Sequence, residues 1–149
     1  MSRKKELIGK AARKREHKIS KIPSSATELK QESTDNKNPV FSFRNVCSNH
    51  CQLSNWHGRE LLLLISTFKT MESLSWREVR NHKGLNLKPI EQFVFRLPDN
   101  VPDDVVIQEV KVDEKRRLFG YRAGRVFYLI WFDRNHEVVP VGKSKKKKA

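Results

Sequence analysis

The middle of the chain carries the hydrophobic periodicities of a folded domain. Residues 40–46 have the pattern of a strand that places Phe41 and Phe43 on one face. From about Trp56 to Met71, apolar residues recur at the i, i+3, i+4, i+7 spacing of an amphipathic helix. Residues 75–78 have the capping-box pattern of a serine followed three positions later by a glutamate. This pattern predicts a second, short helix that ends near Asn81.

Three consecutive antiparallel strands are predicted after the helices. They cover Val105–Val112, Arg116–Arg122 and Arg125–Phe132, and Ala123-Gly124 forms a tight turn between the last two. The last strand is apolar on both faces, so we place it inside the sheet, covered by helices on at least one side. The predicted fold class is α+β: one N-terminal strand, two helices, then a three-stranded antiparallel sheet. The residues expected to be buried together between helix and sheet are Leu64, Phe68, Phe127, Leu129 and Trp131.

Charge is distributed unevenly along the chain. The net charge is +14, of which residues 1–38 carry +6, residues 142–149 carry +5 and residues 39–141 only +3. The two end segments bury too little apolar surface to offset the entropy of ordering them. We therefore expect a disordered basic tail over 1–38, a folded domain over 39–141 and a solvated lysine-rich tail over 142–149. Basic tails of this kind gain affinity for polyanions by counterion release.

The composition argues against several protein classes. No apolar run approaches the roughly 20 residues that a membrane span requires. No apolar stretch follows the basic N-terminus, so a secretory signal peptide is not expected. The two cysteines, Cys47 and Cys51, are too few for a disulfide scaffold. We expect a cytoplasmic protein with reduced thiols, no membrane contact and no cofactor.

Two stretches of the sequence resemble a known group of proteins. One is Leu74–Val79, and the other is Arg117–His136, which ends in FYLIWFDRNH. Together they resemble small, mostly uncharacterised bacterial and phage-associated proteins with a Ser-x-Trp-Lys-Glu helix start and a terminal hairpin. The resemblance covers about residues 39–140 and is strongest in 116–140. That group is similar to the RelE/ParE toxin fold, which has one strand, two helices and an antiparallel hairpin sheet.

The resemblance implies an activity on RNA. RelE-like ribonucleases cleave mRNA in the ribosome without a metal, using basic side chains on the sheet and a His or Tyr near the last strand. Such cleavage needs a base for the attacking 2′-hydroxyl, a cation for the phosphorane and an acid for the leaving oxygen. The positions implied as catalytic are Arg117, Arg122, Arg125 and His136. A toxin of this type also implies a partner antitoxin.

Further candidate RNA contacts follow from residue type and position. They are Lys115, Arg116, Tyr121, Arg134, His82 and Lys83. The cations would bind phosphates, and the tyrosine would stack on a base. Structural interpretations remain open: the hairpin arginines can be solvated charges that protect a sheet edge, and His136 can bond to backbone in a turn.

Cys47, His50, Cys51 and His57 raise the alternative of a zinc site. Structural zinc sites usually combine two ligand pairs that are separated in sequence. All four candidates here lie in one eleven-residue stretch. A loop with incidental thiols fits this spacing better, so we predict no metal site.

Two functions from different classes remain open. The first is an RNA-binding, RelE-like toxin that acts as a ribosome-associated mRNA endoribonuclease, with RNA or the ribosome as partner. The second is a non-catalytic phage or mobile-element module that engages a protein or a polyanion through the same fold. The two differ in whether the four implied catalytic residues converge on one concave surface.

Overall fold

The computed structural model describes residues 33–140. Two α-helices, α1 (Gly58–Glu72) and α2 (Trp76–Asn81), lie between the first and second strands. The strands are β1 (Val40–Ser42), β2 (Lys88–Ile90), β3 (Ile107–Lys111), β4 (Arg117–Ala123) and β5 (Val126–Asp133). Short 3₁₀ turns occupy Thr34–Asn36 and Leu53–Asn55.

All five strands form one mixed sheet in the order β1-β5-β4-β3-β2. β1 runs parallel to β5, with Val40 opposite Val126, whereas the other neighbouring strands are antiparallel. The predicted fold class, with one N-terminal strand, two helices and a three-stranded antiparallel sheet, is therefore wrong. The N-terminal strand is one edge of the same sheet, and Lys88–Ile90 is an unpredicted strand at the other edge. Both edge strands are three residues long: β1 ends at Ser42, earlier than the predicted strand over 40–46, and β2 is too short to show a recognisable period.

The two helices form where the sequence pattern predicts them. On α1, Leu64 and Met71 are buried at the expected helical spacing, whereas Ile65, which belongs to the same apolar periodicity, is exposed and Thr67 is buried instead. The capping box of α2 is confirmed: the Ser75 hydroxyl accepts a hydrogen bond from the Glu78 amide, and the Glu78 carboxylate accepts one from the Ser75 amide.

Apolar clusters cover both faces of the sheet. One face packs against α1 and α2, where Leu64 is buried together with Phe127 and Leu129 as predicted, and Phe68 packs half-buried against them. Loops instead of helices cover the other face. That cluster includes Cys47, Val101, Ile107, Phe119, Ile130, Trp131 and Val138.

A bulge in β5 places Trp131 on the face opposite to the one we predicted. The register between β4 and β5 shifts at Phe119/Gly120, which leaves Ile130 as an extra residue. Trp131 therefore joins Ile130 on the loop-covered face and does not meet the helices. Gly120 is required here because a Cβ at this position would collide with the carbonyl oxygen of Tyr128.

The turn between β4 and β5 lies one residue later than predicted. Ala123 pairs with Val126 inside the sheet, so the two turn residues are Gly124 and Arg125. Gly124 has a φ of 61°, in the left-handed region that glycine adopts without steric cost.

The predicted N-terminal tail includes residues 34–38, yet these residues contact the folded domain. The Asn38 side-chain amide donates to the carbonyl of Glu72 at 2.9 Å, and the Trp76 amide donates to the carbonyl of Lys37 at 2.9 Å. This segment therefore connects β1 to the junction between α1 and α2. The rest of the two predicted tails lies outside the described residues.

Candidate functional site

A groove of about 850 Å³ lies beside the edge strand β2. It is lined by β2 and the residues that follow it, by the turn between β3 and β4, and by the segment after β5. The charged and titratable lining residues are Lys88, Glu91, Glu109, Glu114, Lys115, Arg117 and His136. Three residues that the sequence singled out, Lys115, Arg117 and His136, therefore meet in one groove.

A buried carboxylate lies between two cations of this groove. Glu109 is only 4% exposed, and its two carboxylate oxygens lie 3.3 Å from the Lys88 ammonium and 3.7 Å from Arg117 Nε. The register between β2 and β3 places Lys88 directly opposite Glu109. Arg117 is also held by the carbonyls of Asp113 and Arg116, so its guanidinium has a fixed position.

The His136 ring is held by the backbone of its own loop. Its Nδ1 lies 3.1 Å from the carbonyl oxygen of Val139. Because a carbonyl only accepts, the contact assigns the Nδ1 proton to this bond and leaves Nε2 as the basic nitrogen of the neutral ring. The residue has a φ of 60°, which is uncommon for a residue other than glycine. His136 thus bonds to backbone, as its structural interpretation requires, and also lines the groove.

Asp133 organises the loop that carries His136. Its side chain is completely buried, and its two carboxylate oxygens accept hydrogen bonds from the backbone amides of Glu137 and Val138, each at 2.8 Å. These bonds close the chain into a tight turn immediately after β5. The position of the imidazole therefore depends on a buried carboxylate three residues earlier.

Arg122 and Arg125 lie at the opposite end of the hairpin from Arg117. Arg122 stacks over the Trp76 ring at 4.5 Å and donates to Asp35 and Thr34 at 2.8 and 2.9 Å. Arg125 donates to the carbonyl of Asn38 at 3.1 Å. The four implied catalytic residues therefore do not converge on one surface: Arg117 and His136 share the groove, while Arg122 and Arg125 hold the N-terminal segment.

Two further hairpin arginines bind a carboxylate at the start of α1. Arg134 donates to both oxygens of Glu60, at 2.7 and 3.0 Å, and Arg116 bonds the same carboxylate while also binding Asp113. The Arg134 hydrogen bonds, the His57 amide and Arg116 lower the pKa of Glu60 from its ordinary 4.5 to about 2. Arg116 and Arg134 thus tie the start of α1 to the open end of the β4–β5 hairpin, where β4 begins and β5 ends.

The lowered pKa of Glu60 predicts an acid-sensitive contribution to stability. A carboxyl whose pKa is depressed on folding stabilises the protein fully above pH 4.5 and loses that contribution as the pH falls towards about 2. We expect Glu60→Gln to be less stable than the wild type at pH 7 and to converge with it by pH 2. Urea unfolding midpoints across this range measure the effect. Glu114→Gln, whose side chain is 95% exposed, is the control and should track the wild type.

The remaining predicted RNA contacts lie apart from the groove. Tyr121 is 5% exposed, because its ring stacks on Tyr128 and its hydroxyl bonds the Asn45 amide, so it offers no open face to a base. His82 ends α2, where its Nδ1 accepts a hydrogen bond from the Leu85 amide. Lys83 is exposed beside it.

The four residues of the zinc alternative lie in other surroundings, and Cys47 is buried in the cluster on the loop-covered face. His50 stacks on the Phe95 ring at 4.3 Å, and the His57 backbone caps α1. Burial, followed by the nearby Asp133 charge, raises the pKa of the Cys51 thiol to about 12. Within residues 33–140, no three His, Cys, Asp or Glu side chains are grouped so that they could hold a metal ion.

Lys88 and Glu109 are two charged groove residues that the sequence did not single out, as are Glu91 and Glu114. Ile107 and Glu109 lie on the same side of a predicted strand, so Glu109 occupies a position where an apolar residue is expected. That signal could have identified a buried carboxylate. No comparable signal exists for Lys88, because its position depends on the pairing of an unpredicted strand.

Comparison with protein family models, curated proteins and solved structures found no match to this chain. The resemblance to RelE-like proteins therefore stays a prediction that rests on residues 74–79 and 117–136. Among residues 33–140, no helix is long and apolar enough to cross a membrane.

Proposed function

We propose that this protein binds single-stranded RNA in the groove beside β2 and cleaves its backbone without a metal. The observation that carries the proposal is the meeting of three cations, three carboxylates and an imidazole in one groove. Lys88, Lys115 and Arg117 supply positive charge for phosphates. Glu109 and His136 supply two groups that exchange protons.

The arrangement suits attack of a ribose 2′-hydroxyl on the adjacent phosphorus. In this step the 2′ oxygen forms a bond to phosphorus, and the bond from phosphorus to the 5′ oxygen breaks, which leaves a 2′,3′-cyclic phosphate. Glu109 accepts the hydroxyl proton, and protonated His136 donates a proton to the leaving 5′ oxygen. Arg117 and Lys88 stabilise the negative charge on the phosphorane. Lys115, which is exposed at the turn after β3, binds a neighbouring phosphate.

One observation favours the second function, a module that binds without cleaving. Glu109 already pairs with Lys88 and Arg117, and Glu91 and Glu114 also line the groove, so its carboxylates offset its three cations. Arg122 and Arg125, which a RelE-like site would add, hold residues 34–38 instead. A module of this kind would bind RNA through Lys115 and the exposed end of Lys88 and leave the RNA intact.

The direct test compares His136→Ala with the wild type on fluorescent single-stranded RNA and on ribosome-bound mRNA, with and without EDTA. We expect the variant to lose about 10²–10⁴-fold in cleavage rate, which is the usual contribution of a general acid. RNA affinity should stay unchanged, and EDTA should have no effect. The products of the wild type should carry 2′,3′-cyclic phosphate ends. Lys69→Ala, an exposed cation on α1, is the matched control and should cleave normally.

A second variant separates binding from cleavage. Lys88→Ala combined with Lys115→Ala should lower RNA affinity and reduce the salt slope by about 0.7 for each phosphate that the protein no longer binds. Binding by the wild type with no cleavage on either substrate would support the non-catalytic module. Equal RNA affinity of the double variant and the wild type would show that RNA does not bind in the groove, which would contradict both functions.

A further inference from the structure

Helix α1 carries a second apolar face, on the side opposite to its buried face. Leu62 is 71% exposed and Ile65 is 52% exposed. Phe43, which is 57% exposed, extends this surface because its ring lies 6.4 Å from Phe68, one helical turn from Ile65. We call these three exposed residues, Phe43, Leu62 and Ile65, the α1 patch. Exposed apolar side chains that lie near one another on a surface can mark a binding site.

The shape of this surface suits a helix. A shallow groove follows α1 from Leu62 to Ser73, with Ile65 and Lys69 on one side and Ser66 and Thr70 on the other. Ser66 and Thr70 have short side chains, so they leave a depression beside the longer side chains of Ile65 and Lys69. A ridge of side chains on a second helix can pack into this depression.

Positive charge surrounds the α1 patch. Arg59 lies one turn before Leu62, Lys69 lies one turn after Ile65, and Arg44 follows Phe43. All three are exposed, and none forms an ion pair with another residue in the described range. Glu72, at the end of α1, is the exposed carboxylate closest to them along the helix.

We propose that the α1 patch docks an amphipathic helix of another protein, whose apolar ridge is flanked by Asp and Glu. The apolar ridge would cover Leu62 and Ile65, and the flanking carboxylates would meet Arg59 and Lys69. RNA fits this surface less well, because aliphatic side chains offer no stacking platform for bases.

A second copy of this chain also fits less well than an acidic partner. A two-fold interface pairs a surface with itself. If two α1 helices packed antiparallel about the middle of the Leu62–Lys69 segment, Lys69 of one copy would face Leu62 of the other. If they packed in parallel, the two Lys69 side chains would face each other. The first arrangement places the Lys69 ammonium against an apolar side chain, and the second places two ammonium groups against each other, so both are unfavourable.

The test uses three labelled synthetic peptides of about 20 residues, which is enough for a helix that spans the groove along α1. The first has Leu at i, i+3, i+4, i+7 spacing and Glu on its other face. The second is a scrambled peptide of identical composition, so it has the same charge but no apolar ridge. The third replaces every Glu of the first with Lys. Fluorescence anisotropy with the full chain measures the affinity of each.

We expect the first peptide to bind at least about tenfold more tightly than the scrambled one, a margin typical of a few buried anchor residues. The scrambled peptide reports any general attraction of acidic peptides to the basic ends of the chain. Leu62→Ser combined with Ile65→Ser should abolish the difference between the two peptides. Val106→Ser, which replaces a comparably exposed apolar residue (58%) outside α1, should preserve it. The lysine peptide should not bind.

Several outcomes would overturn the proposal. Equal binding of the first and scrambled peptides would show that the α1 patch has no affinity for an apolar ridge. A difference that persists in the Leu62/Ile65 variant would place the contact elsewhere. Sedimentation of the full chain as a dimer that Leu62→Ser dissociates would assign the surface to a second copy. Loss of RNA affinity in the same variant would assign it to RNA.

Discussion

Replacing Trp76 with alanine should lower the free energy of unfolding by about 3–5 kcal/mol, the usual loss for a fully buried tryptophan. Its side chain is completely buried against Phe127, at a ring distance of 5.9 Å. Its indole also donates to the carbonyl of Arg125 at 2.9 Å, and Arg122 stacks on its other side. One substitution therefore opens a cavity, breaks a partly buried hydrogen bond and removes the ring on which the Arg122 guanidinium stacks. Urea unfolding monitored by circular dichroism gives the value.

Trp76→Phe is the matched control for this prediction. It keeps most of the apolar volume and removes the indole hydrogen bond, so we expect a cost of only about 1 kcal/mol from that bond. Equal destabilisation by the two substitutions would mean that the hydrogen bond, and not the burial, dominates the role of Trp76.

Replacing Asp133 with alanine should lower the free energy of unfolding by about 2–4 kcal/mol, because it leaves two backbone amides without an acceptor. The amides of Glu137 and Val138 both bond this buried carboxylate, and Val138 belongs to the core of the loop-covered face. We expect the loop that carries His136 to lose its turn, so cleavage should fall together with stability. Chemical denaturation and the RNA assay measure the two effects.

Two controls bracket the Asp133 prediction. Asp133→Asn retains one acceptor oxygen and should cost less than the alanine variant. Asp99→Ala removes a carboxylate whose side chain is 94% exposed and should leave the unfolding midpoint unchanged. A stable Asp133→Ala variant with normal activity would show that the turn does not position His136.

Those parts of the fold that repeat a pattern over many residues were predictable from the sequence. The 15-residue helix α1 shows its period several times, and the capping box marks the start of α2 by specific hydrogen bonds. β1 and β2 are three residues each, and their places at the two sheet edges depend on pairing with distant segments. The bulge at Ile130 could not be predicted either, because a strand that is apolar on both faces has the same sequence pattern with or without an unpaired residue.

The candidate site was predictable only in part, because residue type and position along the chain can be read from the sequence but long-range contacts cannot. Arg117 and His136 could be named from residue type and from their positions at the base of the hairpin. Whether a charged side chain faces a groove or another side chain cannot be read from its type. Arg116 and Arg134 illustrate this, because Glu60 binds both from a helix that lies far away in the sequence.

The parallel pairing of β1 with β5 constrains the order in which the domain can be completed. Of the five described strands, β1 is synthesised first, and β5, its only neighbour among them, is synthesised last. Until Val126–Asp133 is available, the backbone of β1 has no strand to bond, and the chain must close a long loop to reach it. Pairing between such distant segments slows folding. A ribosome must therefore release nearly the whole domain before its first strand can join the sheet.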